Sequence, residues 1–426
     1  MKESITNYIN ESMVGVKASK PAILNGVIIG VIVGLMIAFY DWLLSDIFAH
    51  ELLNIIPLNL VGILPFIGML LTGLIVKNFN ILTTTTADEV IHAYHTTSKS
   101  LRLDKSIPKF FATITTIGFG GSAGLEGASK WIGAAAGLFT QKVINFLKPV
   151  LKFEGNLTDS IMTGASAGIA AIFKAPLSGT IMALESPYKK DFAHEPLVQS
   201  FIGAVTSYTV FTQFRGSAKF FIINVNYELR WQDILICAFI GVITGLFSTS
   251  FLNILKAINT SFTSKLNVMT KYFLGGLLLT ILAYIGFYYL GHYVTMFGGN
   301  NIITNLFQNK YDIDQTFFIS ILKSLATIIT FAFGGIGGLF LPSATIGACI
   351  GEMFQLIFHF ATPGILPIIG IASFIAASYN GLLFGPVLIA EISGEPSLVV
   401  LGIVASTISY LISNGVSNSN HQKIHR

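Results

Sequence analysis

Charged side chains are scarce in this sequence. Asp, Glu, Lys and Arg together make up 11% of its 426 residues, against roughly 25% in an ordinary globular protein. A soluble chain of this length could not cover its surface with so few charges, so a soluble fold is excluded. The basic residues are scattered and the net charge is only +4, which leaves no dense basic surface and no nucleic-acid partner to expect. Cysteine is nearly absent as well. Cys237 and Cys349 lie in separate apolar segments, with no CxxC spacing and no histidine cluster. No metal site and no cofactor is expected, and the two thiols are expected to be buried and free.

What the chain has in place of charge is apolar length. Hydrophobic residues make up 53%. Uncharged runs extend from Ile23 to Tyr40, Leu58 to Val76, Ile234 to Leu255, Tyr272 to Phe297 (with His292 neutral) and Ala361 to Ala390. A bilayer core of about 30 Å needs roughly 20 apolar residues, so each run is long enough to cross it. The last is too long for one straight span, and its glycines predict two shorter helices or a re-entrant pair. The runs lie throughout the chain, so none is a cleaved signal peptide. Lys17 and Lys20 flank the first span, and Lys423 and Arg426 lie beyond the last. The positive-inside bias therefore predicts a multi-pass protein of the cell membrane with both termini cytoplasmic. Too few residues follow the last span for a soluble regulatory domain.

The chain also repeats itself. Phe119 to Gly137 reads FGGSAGLEGASKWIGAAAG, and Phe333 to Gly351 reads FGGIGGLFLPSATIGACIG; ten of nineteen positions are identical. Chance in this composition gives about two. Downstream, Gly164 to Glu185 and Gly370 to Glu391 match at seven of twenty-two positions, including both terminal glutamates. The expected organisation is an N-terminal cytoplasmic segment (1–19), a first transmembrane repeat (20–215), a linker (216–230), a second repeat (231–413) and a cytoplasmic tail (414–426). Internal duplication in a membrane protein points to transport, because repeats of opposite topology place substrate between them at the ends of broken helices. The plain alternative is an old duplication without functional trace. Against it, identity is strongest at glycines and a helix start, where packing alone favours larger side chains.

Glycines just before a helix let the backbone turn and bring its N–H groups close to a ligand. A helix N-terminus carries unsatisfied donors and partial positive charge, and it holds an anion without a buried lysine or arginine. Two such termini meeting from opposite repeats would form a desolvated anion site. Within the first motif sits Glu126. An ionisable residue inside a span is a functional candidate by default. Phe340 holds the equivalent place in the second repeat, so symmetry does not require the carboxylate. At an anion-binding terminus Glu126 can occupy the site itself and swing away when protonated, which makes it a gate and a candidate proton carrier. The plain alternative is a helix cap. Lys130, one turn further on, either draws anions inward or, the commoner case, snorkels or pairs with a carboxylate.

These motifs resemble those of a known family. GLEGA (Gly124 to Ala128) is similar to G-[KR]-E-G-P of the CLC family of chloride channels and chloride/proton antiporters. GGLFLP (Gly337 to Pro342) matches that family's G-x-F-x-P, and Gly164 to Glu185 resembles the stretch after its gating helix. The resemblance covers nearly the whole chain and implies a divergent, prokaryotic-type member. The fold it implies is all-α and polytopic, with two inverted-topology repeats and broken, re-entrant helices, assembled as a homodimer. It further implies that Glu126 is the external gate and that Leu339 and Phe340 offer amides to a central anion, with Gly124, Leu125, Gly127 and Gly338 beside them. The family's G-S-G-I-P motif should fall near Thr83 to Asp88, which here reads TTTTAD. Thr85 then aligns with the anion-coordinating serine, although an ordinary helix cap explains the threonines too.

Two departures stand out. Family antiporters often carry an internal proton glutamate directly after the residue matching Glu185; here that position is Ser186. The family's central tyrosine should lie in the C-terminal tail, where only Ser419, Asn420 and His421 are found. The resemblance thus implies transport of chloride or similar small anions through a bilayer-embedded pathway gated by Glu126, and leaves open whether protons move in return. A passive channel and a fluoride exporter of the same family are the alternatives. A reading from another class is an intramembrane serine protease. Gly120 to Gly124 and Gly164 to Gly168 both satisfy G-x-S-x-G, and His292 and His359 lie in or near apolar segments. That pattern arises readily among 41 glycines, and a nucleophile elbow needs a preceding strand where this chain predicts helix. No enzyme activity is expected.

Overall fold

A computed structural model describes residues 2–81, 86–96, 101–151, 154–218, 221, 227–360 and 362–424. The described residues are built from helices. In the first half these are α1 (Lys2–Trp42), α2 (Leu64–Phe79), α3 (Thr86–His95), α4 (Ser106–Gly118), α5 (Leu125–Phe146), α6 (Leu157–Phe173), α7 (Pro176–Glu185) and α8 (Leu197–Arg215). The second half repeats the series with α9 (Trp231–Ser261), α10 (Val268–Leu290), α11 (Asn300–Leu306), α12 (Ile313–Ala332), α13 (Phe340–Ile357), α14 (Ile365–Tyr379), α15 (Phe384–Ser393) and α16 (Pro396–Ser413). Shorter helical pieces join them. The apolar run from Ala361 to Ala390 is two short helices, as its composition predicts, and it breaks where Asn380 turns left-handed at φ 52° before Gly381.

Packing follows the duplication. α5 lies against α6 as α13 lies against α14, α1 against α8 as α9 against α16, and α2 against α4 as α10 against α12. Between halves, equivalent helices meet: α2 with α10, α5 with α13, and α7 with α15. Gly124 and Gly338, equivalent positions of the two repeats, pair antiparallel. Each N–H donates to the other's carbonyl at 2.8 Å. An antiparallel pairing of equivalent residues is what a local two-fold axis produces, and it fits inverted repeats.

Small residues bring these helices close. A Cβ on Gly133 would lie 2.0 Å from the Gly164 carbonyl oxygen, and one on Gly164 would lie 2.0 Å from that of Gly133. In the second half, Gly347 and Gly370 meet in the same way, at 2.4 and 2.1 Å. Backbone contact of this kind replaces the hydrophobic drive that lipid cannot supply. Buried hydroxyls add interhelical hydrogen bonds: Thr244 donates to Ser373 Oγ at 3.0 Å, and Ser248 bonds Ser378 at 3.0 Å. Outward faces are apolar, as Leu24, Val31 and Leu35 on α1 and Leu235, Phe239 and Leu246 on α9 show. An apolar exterior over a core whose buried hydroxyls are paired between helices suits a bilayer. Among the described residues six helical segments are long and apolar enough to cross one, including Lys20–Ile55, Leu58–Phe79 and Trp231–Lys265. Cys237 and Cys349 are buried free thiols, as expected.

Candidate functional site

The two glycine motifs fold alike. Gly120 and Gly334 adopt positive φ, 87° and 92°, a conformation that favours glycine. The chain then doubles back, so that Gly121 N–H donates to the Thr116 carbonyl at 2.9 Å and Gly335 N–H to that of Thr330 at 2.7 Å. Each threonine hydroxyl then receives an N–H from the opposite motif: Ser122 N–H reaches Thr330 Oγ1 and Ile336 N–H reaches Thr116 Oγ1, both at 3.1 Å. These crossed bonds lock the motifs together and start α5 and α13 from one point. Neither helix has a side-chain cap from its own N-cap residue, Gly124 or Leu339.

Glu126 lies in the first turn of α5 and is 1% exposed. Its carboxylate crosses to the other repeat, where Oε1 accepts the Leu341 N–H at 3.0 Å in the first turn of α13. Oε2 has no hydrogen-bond partner among the described residues. The carboxylate lies over bare glycine backbone: a Cβ on Gly338 would come within 2.4 Å of Oε1, and one on Gly124 within 2.1 Å of Oε2. The capping alternative for Glu126 is therefore present in the geometry, but the capped helix belongs to the opposite repeat.

A cavity of about 540 Å³ leads to this carboxylate. Gly124, Leu125, Phe173, Leu341, the loop Met296 to Gly299, and Asn300 and Asn301 line it. Glu126 is the one carboxylate in its lining, and no lysine or arginine is among the lining residues. The buried rings of Phe173, which lines the cavity, and of Tyr379 pack against Phe340. Phe340 lies 4.6 Å from Phe173 and 6.3 Å from Tyr379, centroid to centroid.

The structure thus brings together Gly124, Leu125, Glu126, Gly127, Gly338, Leu339 and Phe340. A Cβ on Gly127 would fall 2.5 Å from Gly338 Cα. Thr85 lies outside the described residues. Its neighbour Thr86 begins α3 and donates its hydroxyl to the Gly337 carbonyl at 3.0 Å, so a threonine of this run does reach the second motif. Ser186 lies apart from Glu126, just after α7, and receives a hydrogen bond from Lys130 Nζ at 2.7 Å. Lys130 corrects one expectation. It does not snorkel, and among the described residues it pairs with no carboxylate; it is 1% exposed and bonded to a serine hydroxyl. The reason is geometric: the face of α5 that carries it packs inward against α3 and α6.

Sequence reasoning missed Tyr379 and the course of the tail. Tyr379 ends α14, and Gln422 of the tail donates its amide to the Tyr379 carbonyl at 3.1 Å and to that of Ser186 at 3.0 Å. The tail continues to Asp88 in the first turn of α3. There Asn420 N–H and His421 N–H donate to Oδ1 at 2.9 and 3.3 Å, and the Ser419 hydroxyl also donates. His421 Nδ1 lies 2.9 Å from Oδ2, without hydrogen-bond alignment. The matched glutamates of the second repeat pair, Glu185 and Glu391, each bind the N-terminus of the other's helix. Glu391 accepts from Leu177 and Ser178 N–H at 2.9 and 2.7 Å, and Glu185 Oε1 accepts from Leu382 and Leu383 N–H at 2.5 and 2.9 Å. Of the two G-x-S-x-G serines, Ser122 bonds Thr327 at 2.9 Å, and Ser166 has no hydrogen-bond partner among the described residues.

Known proteins resemble this chain in sequence and fold. An uncharacterized protein of Methanocaldococcus jannaschii is 29% identical over 309 residues, covering 72% of this chain and 74% of that one. An H+/Cl− exchange transporter ClcA of Yersinia pestis is 25% identical over 319 residues; the match spans 72% of this chain and 64%, just under two thirds, of the exchanger. Among solved structures, a CLC-type fluoride/proton antiporter superposes with a TM-score of 0.81 at 25% identity, covering 95% of this chain and 98% of that one. A slow cyanobacterial Cl−/H+ antiporter, at 19% identity, shares the fold with a TM-score of 0.80 over 93% of this chain and 94% of its own. The family described as voltage gated chloride channel matches residues 67–414. With most of its length inside that match, the chain belongs to the voltage-gated chloride channel, or CLC, family.

Proposed function

We propose that the protein moves chloride and similar small anions across a lipid bilayer in exchange for protons, with Glu126 as gate. The observation that carries this reading is the Glu126 carboxylate resting on the first turn of α13, where its Oε1 accepts the Leu341 N–H at 3.0 Å. A carboxylate bound there stands where a free anion would bind. An incoming anion must shed water onto backbone amides at the two helix starts, and it competes with Glu126 for them. Protonation removes the negative charge that holds the side chain in place, so the gate opens when Glu126 is displaced or protonated.

The roles follow from position. Leu339 and Phe340 supply the α13 amides, Gly124, Leu125 and Gly127 those of α5, and Gly338 the bare backbone that lets the carboxylate approach. Thr85 is assigned a hydroxyl contact with the anion, supported by the reach of Thr86 to Gly337. Tyr379, whose ring flanks Phe340, takes the place of a tail tyrosine on the far side of the anion. The repeats are bounded at 20–215 and 231–413, the assembly is a homodimer with one pathway per subunit, and both termini face the cytoplasm of a cell whose surface membrane holds the protein. No catalytic chemistry on a substrate is assigned.

Fluoride is the second reading. It is favoured by the likeness to the fluoride/proton antiporter and by the altered TTTTAD segment. Efflux from liposomes loaded with chloride or fluoride, with external pH recorded, separates the readings. Wild-type protein is expected to release chloride and take up protons in return, and Glu126→Gln is expected to lose the proton movement. Release of fluoride but not chloride would establish the second reading. Anion release without protons would make the protein a passive pathway, and no release of either anion would contradict transport.

A further inference from the structure

Proton exchange through Glu126 needs a route from that carboxylate to the face opposite the cavity. Among the described residues three lysines are buried in the membrane region, and they differ in what holds them. Lys109 pairs with Glu89 and lies 5.1 Å from the Trp131 ring centroid. Lys323 donates to the carbonyls of Thr295, Met296 and Phe297, at 3.4, 3.1 and 2.5 Å. Among the described residues Lys130 has neither a carboxylate hydrogen-bond partner nor a ring of carbonyls. There its amine has one hydrogen bond, to Ser186 Oγ at 2.7 Å, and Ser186 donates onward to the Ala183 carbonyl at 2.8 Å.

Lys130 follows Glu126 by four residues, so the two issue from one face of α5, roughly 6 Å apart at their Cβ atoms. Their heads diverge. The carboxylate points to α13 and the amine points to Ser186 and the tail, so the pair brackets the first turn of α5. The charge that acts on Lys130 from a neighbouring element is Asp88 of α3. Asp88 is in turn bound by the tail at Ser419, Asn420 and His421, and Lys256 of α9 lies within its electrostatic reach. The His421 ring packs against that of His92, tilted by 35° at 4.2 Å between centroids, and its side chain is 39% exposed. Titratable groups therefore run from the buried amine to the tail-side surface. Symmetry does not explain the pair: the positions equivalent to Lys130 and Ser186 in the second repeat are Ala344 and Ile392.

We propose that Lys130 is the proton carrier on the tail side of the pathway, relaying protons between Glu126 and solvent near Asp88 and His421 while Ser186 holds its amine in place. The inference rests on the proton-exchange reading above. Buried lysines serve elsewhere as groups that take up and release protons. In the forward step the O–H bond of protonated Glu126 breaks and an N–H bond forms on the neutral Lys130 amine, with water carrying the proton across the gap. Carboxylate and ammonium result. The ammonium then loses its proton to water beside Asp88 and His421, which regenerates the amine; the reverse sequence loads Glu126.

The test is chloride-driven proton uptake into liposomes by wild type, Lys130→Gln, Lys130→Arg and the double variant Lys130→Gln/Ser186→Glu. Gel filtration and thermal unfolding in detergent establish that each is folded. Arginine keeps the charge but cannot release a proton in a protein. A carrier role expects both single variants to move chloride with proton uptake reduced about ten-fold or more, and the double variant to regain it through the new carboxyl group. Wild-type stoichiometry in Lys130→Gln would overturn the proposal, and coupling retained in Lys130→Arg would overturn it in favour of a fixed charge. If Lys130→Gln fails to fold, Lys130→Met supplies the same readout. Chloride flux without proton uptake in wild type would sink the proton-exchange reading itself, and the relay with it; loss of coupling confined to the variants separates the two failures.

Discussion

Gly338 has no side chain, and at its position none fits. A Cβ there would lie 2.4 Å from Glu126 Oε1 and 2.5 Å from Gly127 N. Backbone closes one side of that space, so the carboxylate is the group able to move. Gly338→Ala is therefore expected to push Glu126 off the α13 terminus and to crowd the anion's own place. Anion flux should fall about ten-fold or more, equivalent to about 1.4 kcal/mol in the barrier. Overpacking should also cost roughly 1–3 kcal/mol of stability. Liposome flux and thermal unfolding in detergent check the two parts. An alanine variant that transports normally would mean that the carboxylate does not depend on bare backbone at 338. The sequence marks this glycine through the repeat, but the closeness of Glu126 to it comes from the three-dimensional pairing of two motifs more than 200 positions apart.

At the scale of elements, α7 and α15 are short helices whose N-terminal N–H groups are held by each other's glutamates. Glu391 holds Leu177 and Ser178, and Glu185 holds Leu382, Leu383 and, through Oε2, Phe384 at 3.1 Å. Carboxylates at helix starts satisfy orphan N–H donors and complement the helix dipole. Glu391→Gln keeps the shape and removes the charge, and is expected to cost about 1–2 kcal/mol of stability. The fall should appear as a lower unfolding midpoint in detergent, with proton coupling in liposomes retained in the folded fraction. If coupling were lost while the midpoint stayed unchanged, Glu391 would have a part in transport and not in holding α7. The repeat exposes both glutamates in the sequence because they match when the halves are aligned. What they bind was not legible, since a cap donated by another element leaves no local pattern. The break between α14 and α15 was legible, because Asn380-Gly381 interrupts an apolar run with residues suited to left-handed backbone.

Across the whole molecule, the legible features were those that recur at fixed spacing: apolar runs, the duplicated motifs, and the glycines at which two helices start. They give the all-helical duplicated fold and the place of Glu126. The partners of Lys130 and Asp88 were not legible. Lys130 meets Ser186 from 56 positions away and Asp88 meets the tail from more than 330, and neither contact follows from helix periodicity. A lysine amid apolar residues reads as a snorkelling side chain until the fold shows that its face is turned inward. The tail reads as a polar end until Gln422 and Ser419 are seen inserted among α3, α7 and α14.

The central claim is that Glu126 and the transported anion compete for one set of backbone amides. Calorimetric titration of the detergent-solubilised protein with chloride, repeated across pH and in buffers of different ionisation enthalpy, tests it most directly. Protonating Glu126 removes the competitor, so wild-type affinity should rise as pH falls, and binding should take up protons from the buffer. In Glu126→Gln the side chain is neutral at every pH, so affinity should be at least that of wild type and independent of pH. Equal, pH-independent affinities in the two proteins, with no proton uptake, would contradict the claim.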